Sequence, residues 1–152
     1  MTDQERDGYV LTSDATRVDI ARVHSWLSEE SYWAKGRALD VTTRAIEGSL
    51  PFSVFQGDRQ VAFARAVTDG ATFVWICDVF VDREHRGHGL GTWLVDTIVA
   101  RLSETGVQRF LLATRDAHGV YRKSGFAPLE GAQRFMEIDN RPTKAAILAE
   151  LS

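Results

Sequence analysis

Val81-Asp82-Arg83-Glu84-His85-Arg86-Gly87-His88-Gly89-Leu90-Gly91 is the stretch that decides the fold. An apolar segment, Thr72 to Val81, leads into it, and an amphipathic one, Leu90 to Leu102, leads out. The order is therefore strand, basic glycine-rich turn, helix. Such a turn presents bare backbone N–H groups at the positive end of a helix, where a phosphate is stabilised. Gly87, Gly89 and Gly91 keep side chains out of its way and permit positive φ. Arg86 adds a cation whose planar fork of donors matches a phosphate. The N–H groups from Gly87 to Thr92 form the candidate cradle, which takes in His88, Gly89, Leu90 and Gly91. Arg83, His85 and His88 either add positive field or are ordinary solvated residues of a loop.

The glycine spacing excludes two common phosphate loops. A dinucleotide fingerprint needs glycine at positions 87, 89 and 92, and residue 92 is Thr92. A nucleoside triphosphate loop ends in Gly-Lys-Ser/Thr, and no lysine stands here. What remains is Arg-x-x-Gly-x-Gly, with Arg86, Gly89 and Gly91. Asp78-Val79-Phe80-Val81 precedes it, and Tyr121-Arg122-Lys123-Ser124-Gly125-Phe126 follows. In this order and at about this separation, the three motifs resemble the GNAT superfamily of N-acetyltransferases, over roughly residues 9 to 138.

Composition agrees with a soluble domain. At 152 residues the chain is long enough for one substantial core and one domain, with residues 1–8 polar and expected to fray. Hydrophobic content of 44% and charged content of 26% are those of an ordinary globular protein. A net charge of −3 argues against nucleic-acid binding and against an electrostatic membrane anchor. Cys77 is the only cysteine, so no internal disulfide forms. No apolar run is long enough to span a bilayer, and the N-terminus has no signal-peptide core, so a reducing cytoplasm is the expected compartment. No His/Cys/Asp set has metal-ligand spacing.

Along the chain, Tyr9–Thr12, Ser53–Gln56, Gln60–Thr68, Thr72–Val81, Arg109–Ala113, Phe126–Leu129 and Phe135–Ile138 read as strands. Gly57-Asp58 and Asp69-Gly70 join three of them as hairpins. Helices are expected from Asp19, which caps Ile20, Val23 and Leu27, over Asp40–Glu47, from Leu90 to about Glu104, over Asp116–Ser124 and over Thr143–Leu151. This is an α/β (α+β) chain: a mixed, mostly antiparallel central sheet with helices on both faces. The resemblance further implies that two neighbouring parallel strands, Thr72–Val81 and Arg109–Ala113, splay apart. The pantetheine arm of acetyl-CoA would lie in that opening against free backbone groups.

The resemblance implies a job for particular residues. Val79, Phe80 and Val81 would line the coenzyme arm, and the cradle with Arg86 would hold the diphosphate. Thr114 stands where relatives often have an asparagine that touches the coenzyme. Tyr121 would protonate the departing thiolate; on pattern alone it is an aromatic that packs a short helix onto the sheet. Asp78, a carboxylate inside an apolar strand, is either a general base or anchor for the acceptor, or a buried acid tied to an arginine. Some relatives place a glutamate base one position earlier, where this chain has Cys77, so water would relay the proton. Cys77 itself reads as a small hydrophobe. The acceptor region offers Trp26, Glu29, Glu30, Tyr32, Trp33 and Arg37, with Glu29, Tyr32 and Trp33 as the candidate binding residues; aromatics here also suit core packing.

The expected activity is transfer of an acetyl group from acetyl-CoA to an amine of a small molecule or peptide, by direct attack in a ternary complex and without a metal. The alternative is a non-catalytic acyl-CoA sensor. The acceptor, the acyl length and the choice between monomer and homodimer are open.

Overall fold

The computed structural model describes residues 1–149. Six strands form one sheet in sequential order: β1 (Gln4–Arg6), β2 (Tyr9–Thr12), β3 (Leu50–Gln56), β4 (Arg59–Thr68), β5 (Val74–Val81) and β6 (Phe110–Leu111). All neighbours are antiparallel except β5 and β6, which are parallel. The helices are α1 (Ile20–Ser25), α2 (Leu39–Glu47), α3 (Leu90–Glu104), α4 (His118–Arg122) and α5 (Lys144–Leu148). The mixed, mostly antiparallel sheet with a parallel pair is the expected fold class.

Each face of the sheet has its own core. Leu90, Trp93, Leu94, Ile98 and Leu102 of α3 pack on Leu11, Val54, Ala62, Ala64, Val74 and Ile76. On the opposite face Val23 of α1, Ile46 of α2, Trp26 and Leu27 pack on Phe63 and Phe80. The stripe at Leu90, Leu94, Ile98 and Leu102 has helical spacing, so the apolar side of α3 is continuous. Asp19 caps α1 as its sequence predicts, its carboxylate accepting from the Arg22 N–H. The helix then widens into a π-helical turn over Trp26–Glu30, which swings the Ser31–Arg37 linker across the sheet.

A β-bulge in β5 organises the site. Phe63 pairs with Phe80 and Arg65 with Cys77, which leaves Asp78 and Val79 opposite Ala64 alone. Asp78 takes φ of 52°, left-handed and unusual for a residue with a Cβ. The extra residue reverses the alternation. Val74 and Ile76 face α3 below the bulge, Val79 and Val81 face it above, and Phe80 packs with α1 and α2.

Several expectations need correction. Residues 1–8, expected to fray, hold β1, turned onto β2 at Asp7 and Gly8, both at positive φ. That geometry is the two-residue hairpin turn that Asp-Gly favours. The strand expected over Thr72–Val81 starts at Val74, that over Arg109–Ala113 shrinks to Phe110–Leu111, and the helix over Asp116–Ser124 to His118–Arg122. Phe126–Leu129 and Phe135–Ile138 form no strand. Pro128 lacks a ladder donor, and neither segment meets a sheet edge. The C-terminal helix begins at Lys144, and its expected end at Leu151 lies outside the described residues.

Candidate active site

The glycine turn is built to expose backbone. Gly87 and Gly89 have φ of 86° and 72°, and Gly89 begins α3 without a side chain to cap it. The N–H groups of Leu90, Gly91 and Thr92 in the first turn therefore have no helical carbonyl to bond. A Cβ at Gly91 would come within 3.7 Å of Val81, so that glycine also lets α3 sit close to the end of β5. Arg86 folds back, its Nε donating to the Val81 carbonyl at 3.0 Å with the guanidinium 5.3 Å from the Phe80 ring. The two histidines are held rather than loose: His85 shares a hydrogen bond of 2.9 Å with the Tyr9 hydroxyl, and the His88 ring lies 6.0 Å from that of Tyr9.

The same turn stands at the mouth of an opening in the sheet. Of the eight residues of β5, only Val74 and Trp75 pair with β6. From Ile76 to Val81 that edge has no neighbouring strand, so its backbone groups are available to an extended ligand. Val79, Phe80 and Val81 lie on this stretch, and Arg86 to Thr92 continue from it.

Beneath the opening, on the α1 and α2 face, Asp78 is fully engaged. Its Oδ1 accepts from the Trp33 indole at 2.8 Å. Its Oδ2 accepts from Arg37 at 2.8 Å and from Arg65 Nε at 2.7 Å. Burial alone would push this carboxyl up; the Arg65 and Arg37 charges and hydrogen bonds outweigh it and hold the group below its ordinary value. Of the two roles open to Asp78, these contacts are those of a buried acid tied to arginine. Cys77, beside it, is pushed up to about 11, chiefly by burial, and stays a neutral thiol.

Tyr121 stands on α4, on the α3 side of the sheet. It packs edge-on to Phe126 with ring centres 6.2 Å apart, against the α3 core. Burial, with smaller contributions from Tyr32 and Asp116, pushes its phenol up to about 12, so it is protonated at neutral pH. Tyr32 is tied to the loop before α4: its hydroxyl accepts from the Arg115 N–H at 3.0 Å, and the Arg115 guanidinium lies 3.9 Å from the ring centre. Thr114 turns its hydroxyl onto its own loop, accepting from the Ala117 N–H at 3.0 Å, so it orders the entry to α4.

The structure thus brings Asp78 and Trp33 together beside Val79, Phe80 and Val81 of β5, with Tyr32 near Tyr121. It leaves Glu29 apart, exposed and accepting from Ser25 at 3.2 Å. Neither Arg65 nor Arg6 stands out from sequence alone. Arg65 carries a signal in hindsight: it is a charge between buried Ala64 and Ala66. Arg6 belongs to the hairpin expected to fray; it donates to the Gly89 carbonyl at 3.3 Å and covers the Trp93 ring at 4.5 Å. Among the described residues, no group of three His, Cys, Asp or Glu side chains could hold a metal, and no helix is long and apolar enough to cross a membrane.

Comparison with known proteins converges on one family. A model of the acetyltransferase (GNAT) family matches residues 20–126. A crystal structure of a candidate GNAT acetyltransferase from Xanthomonas campestris pv. campestris is 42% identical, with a TM-score of 0.83, covering 89% of this chain and 95% of that one. A candidate acetyltransferase of Gibberella zeae is 24% identical over 139 residues, 78% of each chain. A candidate acetyltransferase of Clostridium acetobutylicum, solved with acetyl-CoA, has the same fold at 17% identity and a TM-score of 0.65, covering 86% of this chain and 94% of that one.

Proposed function

Since the chain belongs to the GNAT acetyltransferase family, we propose that it moves an acetyl group from acetyl-CoA to an amine of a small molecule or peptide. One observation carries the reading: the unpaired edge of β5 from Ile76 to Val81 runs directly into the uncapped N-terminus of α3. An extended, amide-bearing arm ending in a diphosphate is what such a surface fits. The pantetheine arm lies along Val79 to Val81, and the diphosphate meets the N–H groups of Gly87 to Thr92 and the Arg86 charge.

The chemistry then follows from what each group can do. A neutral amine attacks the thioester carbon, its nitrogen bonds the acetyl group, and the carbon–sulfur bond breaks. A backbone N–H beside Val79, just above the bulge, stabilises the oxygen that gains charge. The thiolate takes the phenolic proton of Tyr121, which regains one from solvent. The amine's proton leaves through water, because Asp78 is held ionised by two arginines and Cys77 supplies no carboxylate. Holding both substrates in one opening contributes through proximity. The donor is the acetyl thioester of coenzyme A, and the protein acts in the cytoplasm.

The test has two arms. Acetyl-CoA should bind much more tightly than acetyl-pantetheine in calorimetry, since only the former reaches the glycine turn. Free thiol should then appear when acetyl-CoA is mixed with a broad amine panel. Equal affinities would discard the turn as the diphosphate site. Tight binding without turnover on any amine would make the protein an acyl-CoA sensor.

A further inference from the structure

Two guanidinium groups converge on one carboxylate beneath the opening. Arg37 and Arg65 both bond Oδ2 of Asp78, which leaves one positive charge unmatched. Among the described residues no other acid pairs with them: Glu29 is bonded to Ser25, and Glu30 faces Arg83 at 3.3 Å. Each arginine uses a single nitrogen on Asp78, and the remaining guanidinium N–H groups make no hydrogen bond to a described residue. These are not solvated surface cations. Only 20% of the Arg37 side chain and 13% of the Arg65 side chain stay exposed. A half-buried guanidinium with open donors in reduced dielectric is a strong site for a planar anion.

The position of the cluster gives it a meaning. Asp78 sits on the bulge, three residues beyond Trp75, where β6 leaves β5. The bulge turns Asp78 towards the face on which Trp33 and the α1 and α2 core lie, away from α3 and the glycine turn. A coenzyme phosphate held at Gly87 to Thr92 therefore does not supply the missing anion. Trp33 and Tyr32 stand beside the cluster edge-on, with ring centres 5.0 Å apart, and offer an apolar wall.

We infer that the acceptor is a zwitterion of amino-acid type, with an apolar body and a carboxylate that docks on the open donors of Arg65 and Arg37 while its amine faces the thioester. This rests on the acetyl-transfer reading for the amine, and on the arginine cluster alone for the carboxylate. A simple cationic amine has no free carboxylate to meet here, because Asp78 is already doubly paired.

The probes are 3-phenylpropanoate and its amide, titrated by calorimetry into wild-type protein saturated with coenzyme A. The acid should bind about tenfold or more tightly than the amide, the usual worth of a charge-assisted pair. Arg65→Gln and Arg37→Gln should each erase most of that difference, with melting temperature followed to confirm folding. In turnover, phenylalanine and longer aromatic amino acids should exceed phenethylamine in kcat/KM by a similar factor. Equal binding of acid and amide by the wild-type protein overturns the inference, whatever the variants do. Faster turnover of amines without a carboxylate overturns it too, while leaving acetyl transfer intact. Acid-selective binding that depends on Arg65, with no turnover of any amine, upholds the carboxylate site and discards the transfer reading.

Discussion

Trp33 and Asp78 lie 45 residues apart, and the indole of the first donates to Oδ1 of the second at 2.8 Å. That bond ties the linker after α1 to the bulge in β5. It fixes the Tyr32–Trp33 wall against the strand whose other edge is open.

Replacing Asp78 tests the weight of that tie. Asp78→Ala strands two half-buried guanidinium groups and should cost about 2–3 kcal/mol, towards the low end for a broken buried pair because both arginines keep some solvent. The pH dependence has a definite sign. The folded-state value of Asp78 is lowered, so its contribution is fully present above the ordinary carboxyl value of 3.8 and is lost as pH falls below it. Denaturation curves of wild type and Asp78→Asn should differ by a constant amount near neutrality and converge in acid. Convergence on the alkaline side instead would show that another group governs the difference.

Gly89→Val tests the cradle. At φ of 72° a β-branched residue is strained by about 1–2 kcal/mol, which a domain of this size survives. Its Cβ would also stand 3.6 Å from the Arg6 guanidinium, at the edge of the phosphate approach. Acetyl-CoA affinity should fall about 10–100-fold, the loss expected for one charge-assisted hydrogen bond. Normal affinity in a folded variant would move the diphosphate elsewhere.

Arg6→Ala probes the hairpin that steadies the same turn. The Trp93 ring, otherwise 8% exposed, loses the cation over its face, though Gln4 still accepts from its indole at 3.0 Å. Stability should drop by about 0.5–1 kcal/mol, as for a cation–π contact near the surface. Coenzyme affinity should drop several-fold, and the deficit should shrink at high salt. An affinity unchanged at low salt would separate the hairpin from the coenzyme.

Tyr121→Phe keeps the ring against Phe126 and removes its transferable proton. Turnover should fall about 10²–10⁴-fold with coenzyme affinity and melting temperature little altered. Because burial holds the phenol near 12, the wild-type rate should show no alkaline decline from this group in the neutral range. A fully active phenylalanine variant would leave Tyr121 a packing residue, harmful only when truncated to alanine.

How far these features are legible in the sequence depends on how local their causes are. The Asp69-Gly70 turn, the Asp19 cap and the α3 stripe each follow from a few adjacent residues, and each forms where the pattern places it. Asp7-Gly8 carries the same hairpin signal as Asp69-Gly70, yet Gln4, Glu5 and Arg6 show no apolar alternation to announce a strand. The pairing of Arg65 with Asp78 is 13 residues apart in sequence and depends on the β4/β5 register. The bulge depends on that register too, since nothing marks Asp78 for a left-handed conformation. Phe126–Leu129 and Phe135–Ile138 have strand-like composition, but a strand needs an edge to join, and Met136 and Ile138 end 96% and 91% exposed.

The bulge also sets how β5 tolerates length changes. Below it the even-numbered residues Val74 and Ile76 meet α3, and above it the odd-numbered Val79 and Val81 do. The strand is thus two half-strands in opposite phase, joined at one supernumerary residue. Deleting Asp78 would leave one regular strand, with Val74, Ile76, Val79 and Val81 still on the α3 face and Phe80 still on the other. Loss of that codon would keep both cores and remove only the carboxylate of the arginine cluster, whereas loss of one between Val74 and Ile76 would shift the residues on its far side by one place and turn them onto the wrong face.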